Sequence, residues 1–221
     1  MRILITAGPT REYLDPVRFI TNASSGITGF LTASAALSHG HKVTVISGPT
    51  QCPKPKGVKV IPVIFARDMY RETIKLFPKV DAVIMTAAVG DYRPAKPSPH
   101  KLKKTGQKQI LELVPNPDIL AELGRRKKKH QLLIGFALED RAGRKNALEK
   151  FKKKNLDAII LNSPKALGDK KNRVQVYTLV QGWEMWPTMS KDRLGEKIID
   201  LTENLYSCDS IPHKLKSNIN K

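Results

Sequence analysis

The stretch VRFITNASSGITG, residues 17 to 29, gathers an arginine, an asparagine, two serines and two glycines directly ahead of a helical pattern. Such a run suits an anion. The first-turn N–H groups of a helix are unpaired, its dipole presents a positive end, and Gly26 and Gly29 let a ligand approach the backbone closely. Ser24 and Ser25 can donate hydroxyls to that guest or act as an ordinary N-cap, and the residues alone leave both readings open. Asn22 offers an amide that donates without titrating, or closes an Asx turn. Arg18 offers a planar fork for phosphate or carboxylate, or a surface ion pair with Asp15 or Glu12. Far along the chain, Lys150 and Lys154 stand four residues apart on a helical pattern, so one polyphosphate could be reached by both; a solvated helix face is the alternative.

Two nucleotide-binding signatures are missing. There is no GxxxxGK[ST], which excludes a P-loop. A dinucleotide fingerprint should follow the first strand directly, with an acid ending the second strand to hold the ribose. Here the first turn reads AGPTREYLDPVRFITN and the second strand ends Ser47-Gly48-Pro49, so a dinucleotide oxidoreductase is disfavoured.

The elements that must position these residues alternate between strand and helix. RILITA (2–7), HKVTVIS (41–47), KVIPVIF (59–65), VDAVIMTAA (80–88), QILELV (109–114), QLLIGFA (131–137) and LDAIILN (156–162) are short apolar runs. Helical spacing separates them at 29–40, 67–77, 117–126 and 141–154, which predicts a mostly parallel sheet covered on both faces. RVQVYTLV and WEMWP, spanning 173–187, read as an antiparallel hairpin added at an edge, with a helix near 190–206 after it. The expected fold class is α/β: a Rossmann-like three-layer domain over 1–206, followed by a flexible tail over 207–221.

The 221 residues carry 39 Lys+Arg against 20 Asp+Glu, a net charge of +19. That balance attracts polyanions or phosphorylated small molecules. The cations fall in separate bursts, Lys101–Lys104, Arg125–Lys129 and Lys150–Lys154, and aromatic residues make up only 6%, so no stacking platform for nucleic acid accompanies them. A basic nucleic-acid-binding α/β protein is the rival reading. No apolar run approaches the ~18 residues of a membrane span, and MRILITA leaves no room for a leader ahead of the first strand, so the expected location is the cytoplasm. Cys52 and Cys208 have neither CxxC nor Cys/His spacing, so neither a disulfide framework nor a zinc site is expected. Segment 89–108, with three prolines and lysines at 96, 101, 103, 104 and 108, is long for a connection in a compact domain and reads as a functional lid.

ILITAGPTR (3–11), DPVRFITNASSG (15–26), VTVISGPT (43–50), AAVGDYRP (87–94), KLKK (101–104), LVPNPDIL (113–120), IGFALED (134–140) and KKNLDAIILN (153–162) together resemble phosphopantothenoylcysteine synthetase, the ligase of coenzyme A biosynthesis. The likeness runs from residue 2 to 205 in the right order. It implies a bacterial-type ligase that joins 4′-phosphopantothenate to L-cysteine with CTP and Mg2+ through an acyl-cytidylate, as a cytoplasmic homodimer. ATP in place of CTP is the alternative. In many bacteria this ligase is fused behind a flavin-dependent decarboxylase; the chain resembles a stand-alone form, for which flavin is not expected. The resemblance implies that Asn22, Arg18 and Lys101 are catalytic, with Lys101 laid over the departing pyrophosphate. It assigns nucleotide contacts to Ser24, Ser25 and Gly26, to Met85, Thr86, Ala87 and Asp91, to Val114, Pro115, Asn116 and Pro117, and to Phe136, Lys150 and Lys154, besides Lys101. Asn22, Ala87 and Ala88 would meet the acyl substrate. Gly90 stands where the family has alanine, and Leu138 where it has a small residue. No metal-ligand set is legible.

Overall fold

The computed structural model describes residues 1–163 and 171–209, with the side chains of 208 and 209 excepted. The strands in chain order are β1 (Arg2–Ala7), β2 (Arg11–Tyr13), β3 (Phe19–Thr21), β4 (Lys42–Ser47), β5 (Lys59–Pro62), β6 (Ala82–Met85), β7 (Tyr92–Pro94), β8 (Leu113–Pro115), β9 (Leu132–Leu138), β10 (Ala158–Asn162), β11 (Lys171–Asn172), β12 (Gln175–Thr178), β13 (Gly182–Met185) and β14 (Met189–Ser190). The α-helices are α1 (Ile27–Ser38), α2 (Ala66–Leu76), α3 (Ile119–Arg126), α4 (Gly143–Lys153) and α5 (Lys191–Asp209).

Eight strands form one sheet in the order β13-β12-β10-β9-β6-β1-β4-β5. From β5 to β10 all pairings are parallel, while β12 and β13 join antiparallel at the β10 edge as the expected hairpin. The six parallel strands follow the Rossmann order, with β1 connecting outward to β4 and β6 returning to its other side; the crevice at that reversal is where such folds bind ligands.

Both faces of the sheet are covered, and side chains alternate between them with period two. Ile3, Ile5, Val43, Val45, Ala82, Ile84, Ile134 and Ile160 pack towards α1 and α5, joining Phe30, Ala33, Leu194 and Ile198. Leu4, Ile46, Val83, Leu133 and Ile159 pack towards α2, α3 and α4, joining Met69, Leu123, Ala147 and Phe151. That is why these strands read as continuous apolar runs rather than alternating ones.

Three expectations change. QILELV was expected to be a strand in the alternating series; instead only Leu113–Pro115 is extended, and it pairs antiparallel with β7 in a ribbon outside the main sheet. The reason is that β6 pairs directly with β9, leaving no slot between them. Ile110 is left 94% exposed and Leu111 45%, apolar residues without a core to enter. The first turn, read as one long loop, folds into a second ribbon in which β2 pairs with β3. At the other end of the chain α5 continues to Asp209, so residues 207–209, placed in the tail from sequence, are helical. Residues 210–221 and the expectation attached to them lie outside the described residues.

Candidate functional site

The carboxyl ends of β1 and β6 are laced together by short hydrogen bonds. Thr86 Oγ1 donates to the Thr6 carbonyl at 2.6 Å, the Ala87 amide donates to Thr6 Oγ1 at 3.2 Å, and the Gly90 amide donates to Thr10 Oγ1 at 2.9 Å. These fix the turn 86–90 against the β1 exit, so the fold's ligand crevice opens between two rigid backbones.

α1 begins on the same side. Its N-cap is Gly26, at φ 75°, and no side chain caps it. Ser24 and Ser25 approach the Gly26 and Ile27 amides only at 3.4 and 3.5 Å, the outer limit of a hydrogen bond. The serine N-cap reading is therefore not what the fold adopts, and the first-turn amides open onto a cavity of about 500 Å³ lined by residues 23–29, Thr86, Asn172 and Lys191. Gly29 is required for the approach, since a Cβ there would lie 2.5 Å from Thr86 Oγ1 and 2.6 Å from Ala7 Cβ.

A second cavity, about 350 Å³, lies on the other side of the 86–91 turn between Met85, Ala87, Asp91, Pro115, Asn116, Pro117, Phe136, Lys150 and Lys154. A third, about 530 Å³, joins the two; it is lined by Asn22, Ser24, Thr86, Ala87, Ala88, Asp91, Phe136, Leu138, Lys150, Asn162 and Asn172. One groove thus runs from the α1 N-terminus, past Asn22, to the two lysines. Lys150 and Lys154 do share a face, although each is engaged. Lys150 Nζ donates to the Phe136 carbonyl at 2.7 Å, and Lys154 Nζ sits 2.8 Å from Asp118 Oδ2. Burial, with Lys154 adding to it, pushes the Lys150 ammonium below the ordinary lysine pKa. Burial raises the Asp118 carboxyl too, but Lys154 and the Ala121 amide outweigh it and hold it below the usual range.

The remaining expected residues are distributed as follows. Asn22 Nδ2 donates to the Ala88 carbonyl at 3.2 Å and the Val89 carbonyl at 3.1 Å, tying the β3–α1 connection to the 86–90 turn. Asn116 clamps the far wall by donating from Nδ2 to the Gly90 carbonyl at 2.9 Å and from its amide to the Asp91 carbonyl at 2.7 Å. Val114 lies opposite Arg93 in the β7–β8 ribbon and lines none of these three cavities. Neither Arg18 nor Lys101 lines them. Arg18 forms the ion pair with Asp15, whose side chain is wholly buried, and its guanidinium donates to the Leu102 carbonyl at 2.8 Å.

Three groove residues escaped the sequence. Asp118 caps α3 through the Ala121 amide at 3.0 Å while pairing with Lys154; its place at the start of a helix, four residues after Val114, was the available signal. Lys191 and Asn172 enter from the chain's last third. Asn172 is 4% exposed and its Oδ1 has no hydrogen-bond partner among the described residues, an acceptor in the wall shared by two cavities. Nothing local in KKNRV marks it.

A family described as the DNA/pantothenate metabolism flavoprotein C-terminal domain matches residues 1–205. A coenzyme A biosynthesis bifunctional protein CoaBC of Borreliella burgdorferi is 39% identical over 202 residues, 90% of this chain and 52% of that protein. The CoaBC protein of Bacillus subtilis is 47% identical over 167 residues, 75% of this chain and 41% of that one. The chain thus spans about half the length of the curated relatives it matches. Among solved structures, the C-terminal domain of a CoaBC protein superposes with a TM-score of 0.81 at 38% identity, covering 93% of this chain and 95% of that one.

Proposed function

The chain belongs to the phosphopantothenoylcysteine synthetase family, the C-terminal domain of the DNA/pantothenate metabolism flavoproteins, and from that premise we propose that it joins 4′-phosphopantothenate to L-cysteine at the expense of CTP. The observation that carries the reading is the single groove connecting Asn22 and the uncapped start of α1 with the Lys150/Lys154 wall, because one nucleotide and one acyl chain can lie in it end to end.

In the first step a carboxylate oxygen of the pantothenate attacks the α-phosphorus, the bond to the β-phosphate breaks, and pyrophosphate leaves. In the second the cysteine amine attacks the acyl carbon, the carbon–oxygen bond to CMP breaks, and the amine gives up a proton. Neither step needs a covalent bond to the protein; both need position and neutralised charge. Lys150 and Lys154 supply charge to the nucleotide from one side, the α1 amides and Ser24 supply donors from the other, and Asn22 stands where the acyl-nucleotide joins the two. Lys101, on the loop beyond β7, would be brought over the departing pyrophosphate. Mg2+ bound with the triphosphate would offset phosphate charge. The acidic residues of the nucleotide wall are Asp91 and Asp118; Asp118 pairs with Lys154, so Asp91 would be the carboxylate that holds the ion beside the phosphates. CTP is the proposed nucleotide, with Leu138, 47% exposed in the groove wall, beside it.

We also place the enzyme in the cytoplasm as a homodimer. Among the described residues no helix is long and apolar enough to cross a membrane. The exposed apolar tip Leu179–Val180 of the β12–β13 hairpin, 76% and 81% exposed, is the surface we assign to the partner copy.

The test separates the half-reactions. Parent protein given CTP, magnesium and 4′-phosphopantothenate should release pyrophosphate and accumulate acyl-cytidylate until cysteine is added. Asn22→Asp should still form the intermediate and fail to transfer it. Equal or higher kcat/KM with ATP would overturn the nucleotide assignment, and ordinary product turnover by Asn22→Asp would remove that residue from the mechanism.

A further inference from the structure

Asp15 accepts hydrogen bonds on both carboxylate oxygens, and the reaction as drawn gives it no role. Its carboxylate is wholly buried. Oδ1 accepts from the Val17 and Arg18 amides, both at 2.8 Å, an Asx turn that shapes the β2–β3 connection. Oδ2 faces the other way: it accepts from Arg18 Nε at 2.9 Å, from a second Arg18 nitrogen in a shorter contact, and from the Leu102 amide at 3.1 Å. Arg18 completes the loop by donating to the Leu102 carbonyl at 2.8 Å. Both backbone groups of Leu102 are therefore taken by one ion pair whose carboxylate is buried, and Leu102 is the neighbour of Lys101.

Few other contacts restrain that segment. Between Ala95, whose amide donates to the Glu112 carbonyl at 3.0 Å, and β8, the connection has no regular element. The Ser98 amide donates to the Leu14 carbonyl at 2.8 Å, so the same β2–β3 connection holds the chain on both sides of Lys101. A lysine on an unrestrained loop would be spread through a large volume, and its contribution to charge neutralisation would fall accordingly.

We propose that Asp15 is a positioning residue, which with Arg18 seats the backbone at Leu102 and so fixes where Lys101 can reach over the groove. The inference rests on the ligase reading for its catalytic consequence, but the seating itself is a property of the fold. Because both oxygens accept, an asparagine cannot replace the carboxylate: either rotamer turns an NH2 towards a donor, losing the turn or the loop. The guanidinium and three amides hold the carboxyl far below the usual carboxylate range, against the opposing effect of burial, so the seat stays intact across the working pH.

The experiment uses Asp15→Asn with two readouts. Trypsin should cut after Lys101, Lys103 and Lys104 about tenfold faster or more than in the parent, as expected when a local restraint is lost. Acyl-cytidylate formation should fall by roughly 10- to 100-fold, while transfer of preformed intermediate to cysteine stays near normal. The double variant Asp15→Asn/Lys101→Gln should be no slower than Lys101→Gln alone, because the two act through one contact. Leu102→Pro removes the loop's N–H, fixes φ there and restricts Lys101 before it, but leaves the Asp15–Arg18 pair, and should give the same faster cutting after Lys103 and Lys104 even if Asp15→Asn does not fold. Unchanged trypsin rates in Leu102→Pro, additive losses in the double variant, or equal damage to both half-reactions would overturn the proposal. If the parent itself makes no acyl-nucleotide with CTP or ATP, the ligase reading fails, and the trypsin ratios still decide the seat.

Discussion

A half-buried ammonium and an exposed one answer differently to solution conditions, and the two kinds of lysine here can be told apart on that basis. Lys150 has its pKa lowered by burial first and by Lys154 second. Its charge is therefore lost at a lower pH than that of an ordinary lysine, near 10.4. Nucleotide affinity should weaken as pH rises through that lowered pKa, and Lys150→Arg, which cannot titrate there, should hold affinity over the same range; calorimetric titration with CTP across about pH 7 to pH 10 reads both. Lys101 and Lys108 are both exposed. A lysine that merely attracts anions loses its influence as the Debye length shrinks from about 10 Å at 0.1 M salt to about 3 Å at 1 M. Lys101→Gln should slow acyl-cytidylate formation by roughly two orders of magnitude at either salt, whereas Lys108→Gln should show a small deficit that salt erases. Identical behaviour would make the segment a basic tether. Asn172 gives the opposite kind of test. Its buried acceptor, unpartnered among the described residues, costs about 1–3 kcal/mol, so Asn172→Leu should raise Tm while raising KM for one of the substrates; a lower Tm would mean that Oδ1 has a partner after all.

α1 is the element on which the groove depends most, because its N-terminus forms one wall and its flank is pressed on the sheet. Gly29→Ala places a methyl group against Thr86 and Ala7. Overpacking of that kind costs about 1–3 kcal/mol, and here it should also weaken CTP binding by shifting Thr86, whereas an alanine at Gly40, with nothing within 4 Å, should leave binding unchanged though it strains a φ of 78°. The far end of α1 meets α5 through titrating groups. His39 lies 2.9 Å from Glu196 and 3.3 Å from Glu203, and these carboxylates outweigh burial and raise its pKa. His41 goes the other way, lowered by burial and by the Met1 ammonium against the pull of Glu203. A raised histidine lends stability that is fully present below the unfolded pKa of about 6.5 and is lost as pH rises through the folded value. A lowered one lends stability that is lost as pH falls. His39→Gln should therefore lower Tm at about pH 5.5 and leave it unchanged at about pH 9, with His41→Gln showing the reverse sign at the acid end. Parallel behaviour of the two variants would contradict the assignment.

For the whole molecule, the charge of +19 invites a nucleic-acid reading that the arrangement of cations does not support. The Arg125–Lys129 burst is largely spent internally: Arg125 and Arg126 both pair with Glu122, and Lys127 pairs with Asp157 at 2.8 Å. Glu122 is held at a pKa of about 2 by those two arginines. Lys150 and Lys154 turn into the groove, which leaves Lys101–Lys104 as an exposed run on one loop. Duplex DNA should therefore compete poorly with CTP at about 0.15 M salt, and any residual binding should disappear on further salt addition. Competition that persists would revive the rival reading.

The fold class was legible because a parallel sheet buried on both faces must be written as short continuous apolar runs, and β1, β4, β6, β9 and β10 each appear as one. The stretches around Asn22, Asp91, Asn116 and Lys150 were marked by their resemblance to the family's segments, and the fold brings those four residues to one groove. What the sequence could not decide is which extended runs pair with which. QILELV has the composition of a sheet strand, and only the direct β6–β9 pairing excludes it. It also could not decide how a competent side chain spends its hydrogen bonds. Ser24 and Ser25 are competent N-caps that do not cap, Arg18 is a competent phosphate fork that grips Asp15 and Leu102, and Asn172 reaches the groove from a segment with no motif. Such choices depend on distances between residues far apart in the chain, which local spacing does not encode and tertiary packing sets.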